Sequence, residues 1–297
     1  MNIRKVVIPV AGWGTRSLPA TKNIPKEMLP IYNKPVVQYV VEEAVRAGIE
    51  SVVFITNKDK SSLEDHFDRN ALLENVLERA GKHEALSVIR SVANMVNVIS
   101  IRQKQQLGLG HAVLCARDVV MHDEGFAATV GDDLMVGDYT GLSQLKDMAA
   151  KTGLPCIGVM EVPCDRVHRY GIVAGEEQEQ GVWRITDMVE KPSRDKAPSN
   201  LAIVGRYVLT PEIFTYLENA KPGHGGEIQL TDALKSLAEE RGMLAVRMNG
   251  IRFDAGDWVE YLTANIHFAL RDDNIRDALR ASLKHVLEQF DTPSRTG

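Results

Sequence analysis

Short apolar, β-branched runs alternate with amphipathic segments over most of the chain. In the first 155 residues this pattern predicts strands at 6–10, 51–56, 96–101 and 127–130, and helices at 36–47, 61–90, 110–120 and 139–151. Such alternation is typical of βαβ units that build a largely parallel sheet. The pattern therefore predicts an α/β fold with a doubly wound, mixed but mostly parallel central sheet flanked by helices.

The pattern changes after residue 155, where turn-rich polar segments connect most of the apolar runs. Here it predicts strands at 156–162, 171–174, 182–189, 201–209, 244–248 and 251–253, and helices at 211–219, 232–241 and 258–270. We expect these strands to extend the same sheet. Residues 1–270 would then form a single domain with one half at about 1–155 and the other at about 156–270.

The C-terminal segment, residues 271–297, is predicted to be a helix and a tail. Apolar residues recur near helical spacing between 275 and 290, which predicts an amphipathic helix there. Periodicity alone does not identify the surface that covers this apolar face. The helix therefore either packs on its own subunit or contacts another copy of the chain.

The overall composition is that of a soluble globular protein: 297 residues, 44% hydrophobic and 25% charged. A net charge of −5 leaves no global basic surface for a nucleic acid polymer. Residues 1–34 are an exception, because they carry six cations and one acid. A local positive charge of this kind suits a small multivalent anion better than DNA or RNA.

Cysteine usage and hydropathy indicate a cytoplasmic protein. Cys115, Cys156 and Cys164 have neither the spacing of a zinc site nor that of a disulfide framework. The first apolar run, residues 6–10, is too short for a secretion signal or a membrane span. We therefore expect a reducing compartment and no membrane partner.

A glycine-rich turn, residues 11–19, follows the first predicted strand, where open α/β sheets bind ligands. The dinucleotide fingerprint would require a third glycine in place of Ser17 and then a long helix, which Pro19 and the prolines after it prevent. The Walker A pattern is also absent. The sequence instead predicts an extended loop that carries Arg16, Lys22 and Lys26, charges that suit phosphoryl or nucleotidyl transfer.

A series of motifs along the chain resembles the sugar nucleotidyltransferases over about residues 3–270. In order, the motifs are Ala11-Gly12-x-Gly14-Thr15-Arg16-x-Leu18-Pro19-x-Thr21-Lys22, Pro25-Lys26-Glu27-Met28-Leu29-Pro30, Arg102-Gln103, Gly108-Leu109-Gly110-His111-Ala112, Gly131-Asp132, Tyr170-Gly171, Glu190-Lys191-Pro192, Glu227-Ile228-Gln229-Leu230-Thr231-Asp232 and Phe253-Asp254-x-Gly256. An ordered series is far more specific than any one of these motifs.

The resemblance implies a Rossmann-like nucleotidyltransferase fold with C-terminal helices, and an activity of the uridylyl branch of the family. In that reaction α-D-glucose 1-phosphate attacks the α-phosphorus of UTP in line, giving UDP-glucose and pyrophosphate. No covalent intermediate is needed, because the attacking phosphate oxygen is already ionised. The resemblance also implies Mg²⁺ as cofactor and a homodimer or homotetramer.

The same resemblance assigns roles to individual residues of this chain. Catalytic roles fall to Arg16, Lys26, Asp132 and Lys191; nucleotide binding to Ala11, Gly12, Gly14, Thr15, Gln103 and Gly108; sugar binding to Gly171, Glu190 and Lys191; and Mg²⁺ binding to Asp132 and Asp254. Asp133 departs from the family pattern, which has an apolar residue there, and we expect it to be structural or to lie behind the metal ligands.

Two alternatives remain open at this point: a thymidylyltransferase of the same superfamily, and a catalytically silent paralogue that binds nucleotide sugars. The roles of Trp13 and His111 and the identity of the hexose are also open. Uracil and thymine differ by one methyl group, which is worth only about 1 to 3 kcal/mol in a binding pocket. A silent paralogue would be expected to lose Arg16 or a metal aspartate, and this chain has both.

Overall fold

The computed structural model describes residues 1–139 and 141–291. The strands are β1 (Ile3–Pro9), β2 (Pro30–Ile31), β3 (Lys34–Pro35), β4 (Ser51–Thr56), β5 (Asn97–Arg102), β6 (Gly125–Thr129), β7 (Asp133–Val136), β8 (Cys156–Glu161), β9 (Gly171–Glu179), β10 (Val182–Glu190), β11 (Leu201–Leu209), β12 (Leu244–Arg247) and β13 (Ile251–Asp254). The helices are α1 (Val36–Arg46), α2 (Ser61–His66), α3 (Ala71–Arg79), α4 (His83–Ala93), α5 (Leu109–Leu114), α6 (Arg117–Val120), α7 (Leu142–Thr152), α8 (Ile213–Asn219), α9 (Leu230–Arg241), α10 (Trp258–Ala269) and α11 (Arg276–Asp291).

In the described part of the chain, nine strands form one sheet in the order β5-β4-β1-β6-β11-β8-β12-β10-β9. Their pairings give seven strands a common direction, while β10 and β11 run against them. The predicted mixed, mostly parallel sheet is therefore confirmed. Strands β7 and β13 form a separate antiparallel pair, and so do β2 and β3.

The two faces of the sheet bury separate hydrophobic cores. Along β1, Val6 and Ile8 pack into the core that includes Val41 of α1, whereas Val7 packs into the core that includes Leu234 of α9. Successive residues of a strand point to opposite faces, so a continuous apolar strand fills both layers. Helices on both faces confirm the doubly wound architecture.

Two predicted helices are divided in the structure, and the strands β2, β3 and β7 were not among the predicted elements. The helix predicted at 61–90 is divided into α2, α3 and α4, because the Asn70 side chain caps α3 by accepting a hydrogen bond from the Leu73 amide, and Gly81 turns the chain at φ 66° before α4. The helix predicted at 110–120 is divided into α5 and α6. Strand β7 was not predicted, because a strand that begins with a buried aspartate resembles a turn.

A buried ion pair connects the helix layer to the sheet. Arg206 of β11, with no exposed surface, donates to both carboxylate oxygens of Glu43 of α1, with Nη2 2.7 Å from Oε2. The same guanidinium donates to the main-chain oxygen of Asp133, and Glu43 accepts from the Leu142 amide. These bonds fix α1, α7, β7 and β11 relative to one another.

The predicted C-terminal helix is present as α11, while residues 292–297 of the predicted tail lie outside the described residues. Leu287 and Phe290 of α11 are 63% and 83% exposed. Exposed apolar side chains also follow α10, at Val259 and Leu262. Within residues 1–139 and 141–291, none of the helices combines the length and apolarity needed to cross a membrane.

Candidate active site

The predicted site residues meet at the carboxyl-terminal edge of β1, β4, β5 and β6, where two cavities adjoin one glycine-rich loop. Trp13 lines a cavity of about 470 Å³ with Gln103, and Arg16 lines a cleft of about 520 Å³ with Asp132 and Glu190. Parallel strands bring their carboxyl ends to the same edge, which explains why segments far apart in sequence meet here. The loop thus borders both cavities.

As expected, the glycine-rich loop and the segment that follows it form no long helix. They contain two single 3₁₀ turns, Thr15–Ser17 in the loop and Lys26–Met28 after it. Gly14 has φ 65°, and its carbonyl oxygen accepts a 2.7 Å hydrogen bond from the Thr21 hydroxyl. A Cβ at position 14 would lie 3.2 Å from Cβ of Lys26. Gly14 is therefore required both for its conformation and for the close packing of the two turns.

Lys26 and Asp132 form an ion pair, with Nζ 2.5 Å from Oδ2. Burial alone would raise the pKa of Asp132, but the ammonium of Lys26 outweighs burial and the pKa lies below its ordinary value. Burial likewise opposes the charge of Lys26, yet the carboxylate of Asp132 leaves the pKa of Lys26 above its ordinary value. Both groups are therefore held in their charged forms.

A second ion pair lies beneath the first. The buried carboxylate of Glu27 accepts a 2.8 Å hydrogen bond from Nζ of Lys60. Burial raises the pKa of Glu27 and lowers the pKa of Lys60. Glu27 follows Lys26 directly in the chain, so this pair anchors the turn that carries Lys26.

At the start of the glycine-rich loop, the Ala11 carbonyl oxygen accepts hydrogen bonds of 2.8 Å from the side-chain amides of both Asn57 and Gln106. These contacts fix the backbone predicted to bind the base. Gln103 is buried and lies 2.9 Å from Nδ1 of His111. His111, in α5, therefore fixes the orientation of the Gln103 side chain through this hydrogen bond.

Trp13, in contrast, is 61% exposed, so it is not a core residue. Its side chain lines the same cavity as Gln103. Its exposure excludes a core role for Trp13 and leaves a role at this cavity.

Gly108 lies where the turn before α5 contacts the loop before α9. Its φ is 103°, and a Cβ there would lie 2.7 Å from Cβ of Glu227 and 2.8 Å from the carbonyl oxygen of Ile228. Ile228 also donates its amide to Leu107 and accepts from the amide of Gly110. The turn before α5 and the loop before α9 therefore pack with no space between them.

Within the cleft, Glu190 at the end of β10 lies next to Gly171 at the start of β9. Its Oε2 accepts a 2.6 Å hydrogen bond from the Thr231 hydroxyl, and its Oε1 lies 3.7 Å from Nζ of Lys191. Lys191 has φ 45°, a conformation that costs a non-glycine residue free energy. Its amide bonds to the carbonyl oxygen of Tyr170, which holds the strained turn.

The two predicted metal ligands line the same cleft. Asp132 lies before β7 and Asp254 ends β13; the amide of Ala255 donates to the Asp132 carbonyl oxygen at 2.8 Å. Among the described residues there is no group of three or more His, Cys, Asp or Glu side chains arranged to hold a metal. Two carboxylates together with phosphate oxygens and waters suit Mg²⁺, which retains much of its hydration.

Asp133, which we expected to be structural or to lie behind the metal ligands, has a charged partner in the cleft that the sequence did not identify. Asp133 of β7 accepts a hydrogen bond from Nε of Arg252 of β13 and forms an ion pair with this guanidinium, which lies 5.5 Å from the centre of the Tyr170 ring. Burial, only partly offset by Arg252, raises the pKa of Asp133 to about 7. The charged residue in place of the usual apolar one was the available signal, but its partner is 119 residues away.

Known proteins resemble this chain over most of its length. A family profile described as nucleotidyl transferase matches residues 5–270. The chain is 47% identical to a Bacillus subtilis (strain 168) protein named UTP–glucose-1-phosphate uridylyltransferase, over 97% of this chain and 98% of that protein.

Two solved structures are also similar. A UTP-bound UGPase from Acinetobacter baumannii superposes with a TM-score of 0.87 at 42% identity, covering 95% of this chain and 99% of that one. A UDP-glucose pyrophosphorylase complexed with UDP-glucose superposes with a TM-score of 0.83 at 41% identity, covering 91% and 100%.

Proposed function

Because the chain belongs to the nucleotidyl transferase family, we propose that it transfers the uridylyl group of UTP to α-D-glucose 1-phosphate, forming UDP-glucose and pyrophosphate. The observation that supports this most directly is the glycine loop that borders both cavities, with the Lys26–Asp132 ion pair packed against it. One cavity suits a base and the other a hexose, and the charges lie at the loop that adjoins both.

Within this proposal the nucleotide is bound by residues of the first half, 1–155. The backbone of Ala11 and Gly12 and the amide of Gln103 contact uracil, and Gly108 leaves room at that edge. Gly14 and Thr15 direct backbone amides at the triphosphate. The bonds from Asn57 and Gln106 to Ala11 preorganise this backbone before the nucleotide arrives.

The sugar phosphate is bound mainly by the second half, 156–270. Glu190 accepts hydrogen bonds from glucose hydroxyls, and the backbone of Gly171 contacts the ring. Thr231 already donates to one oxygen of Glu190, which fixes the carboxylate for the sugar. Lys191 holds the phosphate, and its strained φ directs the ammonium beside Glu190.

Chemistry in this site is a matter of position and charge. Arg16 and Lys26 contact the triphosphate and stabilise the negative charge that develops on the leaving pyrophosphate. The attacking oxygen is ionised already, so no side chain has to accept a proton. We assign Asp132 and Asp254 as the ligands of Mg²⁺, which when bound neutralises phosphate charge and aligns the oxygens around the α-phosphorus.

Pyrophosphate release from the purified protein tests the proposed function. With Mg²⁺ and glucose 1-phosphate present, release is expected with UTP and to a smaller extent with dTTP. Omission of the sugar phosphate or chelation of the metal should abolish it. A preference for dTTP would place the protein in the thymidylyl branch, and UDP-glucose binding without release would favour the silent paralogue.

We further propose a homodimer or homotetramer in which α11 forms a contact between copies. Support comes from Leu287 and Phe290, which are exposed on α11 in the single chain. Deletion of residues 275–297 should lower the particle mass measured by light scattering, because burial of such side chains drives association. A Leu287→Glu variant retains the segment and serves as a second test. An unchanged particle mass in both would exclude α11 as the main contact.

We also propose a cytoplasmic location. Its support is that Cys115, Cys156 and Cys164 are free thiols, one buried, one exposed and one between. Free thiols at such sites are usual in a reducing compartment.

A further inference from the structure

We propose that Arg252 donates hydrogen bonds to the phosphate of the hexose 1-phosphate, and that Asp133 positions it for this contact. This inference rests on the proposed function, because it concerns the same site. Neither residue was assigned a role in substrate binding by the sequence motifs.

Arg252 lies in the cleft that contains both the proposed metal ligands and the residues proposed to bind the sugar. It lies two residues before Asp254 on β13, and side chains two apart on a strand point to the same face. Phe253, between them, is buried in the core and marks the opposite face. Arg252 lines the cleft together with Tyr170 and Gly171, and it does not line the cavity that contains Trp13.

The guanidinium of Arg252 is bound to the protein through Nε and Nη2, which leaves Nη1 available to a ligand. Its Nε and Nη2 lie 2.8 Å and 2.7 Å from Oδ2 of Asp133, and its plane lies over the Tyr170 ring at 5.5 Å. Within residues 1–139 and 141–291, Nη1 makes no hydrogen bond to the protein. A planar guanidinium fixed in this way presents preorganised donors to a ligand without a further loss of rotamer freedom.

Charge identifies the ligand as an anion. Arginine donates only, so whatever fills the open edge must be an acceptor. A phosphate monoester carries about two negative charges near neutral pH and offers three oxygens. Of the cleft cations, Arg169 bonds to Asp257 at 3.1 Å and Lys191 lies 3.7 Å from Glu190. Arg252 adds to these a rigid, forked donor on the sugar side.

The experiment compares Arg252→Met, Arg252→Lys and the matched control Arg247→Met. Arg247 has the same two contacts outside the cleft, an ion pair with Glu161 and a ring, that of Trp183, at 5.2 Å. KM for each substrate is measured by pyrophosphate release, glucose 1-phosphate binding by calorimetry, and folding by thermal unfolding. In Arg252→Met, KM and Kd for glucose 1-phosphate should rise about 10- to 100-fold, the effect of a charged hydrogen bond, with KM for UTP unchanged.

Arg252→Lys separates substrate binding from folding. A lysine can keep the ion pair with Asp133, but its single ammonium cannot hold Asp133 and reach the phosphate as a fork does. It should therefore restore the unfolding temperature and leave KM for glucose 1-phosphate raised, while Arg247→Met changes neither substrate constant.

The inference is overturned if Arg252→Met raises both KM values equally, or lowers only the unfolding temperature. If the unaltered protein binds glucose 1-phosphate but shows no turnover, the proposed function is refuted. The calorimetric comparison of the variants would still decide the role of Arg252. If the unaltered protein binds no glucose 1-phosphate, both proposals fail.

Discussion

Asp132→Ala is expected to lower kcat by at least about 10³-fold, because it removes one of only two proposed protein ligands of the metal, whose charge stabilisation is worth several kcal/mol. The same change leaves Lys26 without the carboxylate 2.5 Å from its Nζ. Lys26 loses the partner that keeps its pKa above the ordinary value and its ammonium in place. Metal binding and the position of a phosphate-binding cation are thus lost together. Added Mg²⁺ should not restore the rate, and UTP affinity should fall much less than kcat.

The matched control for this variant is Asp187→Ala. Asp187 is also paired with a lysine, Lys235 at 2.6 Å, but the pair is half-exposed and outside the cleft. Exposed pairs contribute at most about 1 kcal/mol, so this variant should keep its full rate. Rates are measured by pyrophosphate release at saturating substrates, with circular dichroism to check folding. A folded Asp132→Ala protein with more than a tenth of the original kcat would contradict the assignment of Asp132 as a metal ligand.

Arg206→Met is expected to lower the free energy of unfolding by about 3 to 5 kcal/mol, because it leaves a buried carboxylate without its counter-charge. Glu43 has almost no exposed surface and receives two side-chain donors from Arg206. Water cannot replace them without opening the layer between α1 and β11. The loss should appear as a shift of the chemical denaturation midpoint with little change in its slope.

The double variant Glu43→Leu with Arg206→Met tests the cause of that loss. Removal of both charges should restore much of the stability, since an apolar pair of similar volume is often as stable as a buried ion pair. If the double variant is less stable than Arg206→Met alone, packing rather than uncompensated charge accounts for the effect.

Local signals in the sequence predicted most of the strands and the amphipathic helices. Strand β11, for example, was predicted at its observed limits, because a nine-residue run between polar turns with only one charged residue, Arg206, indicates a buried strand. The division of 61–90 into three helices was also encoded locally, by Asn70 and Gly81. The strand order was not, because pairing such as that of β8 with β12 joins segments almost 90 residues apart. No periodicity records such contacts.

In the candidate site, too, some residues could be predicted from the sequence and others could not. Motifs identified Arg16, Lys26 and Asp132 by resemblance, and the structure places all three at one edge of the sheet. Of the charged groups around them, only Asp133 was singled out, as a structural residue or one behind the metal ligands; Glu27, Lys60 and Arg252 were given no supporting role. Glu27 with Lys60, and Arg252 with Asp133, are charged residues that would ordinarily be assigned to the surface. Only the tertiary structure shows that Glu27, Lys60 and Asp133 are buried and that Arg252 is partly buried against Asp133.

The contact of Gly108 with Glu227 and Ile228 limits how this enzyme could be redesigned. Any larger residue at 108 must displace the loop before α9, since a Cβ there already lies within 2.8 Å of it. That loop leads directly into Thr231, which bonds to Glu190. An engineer who reshapes the base pocket at this glycine therefore also moves the carboxylate proposed to select the hexose. A substitution at Gly108 is therefore expected to change nucleotide preference and sugar preference together, and a second change near Glu227 and Ile228 would be needed to separate them.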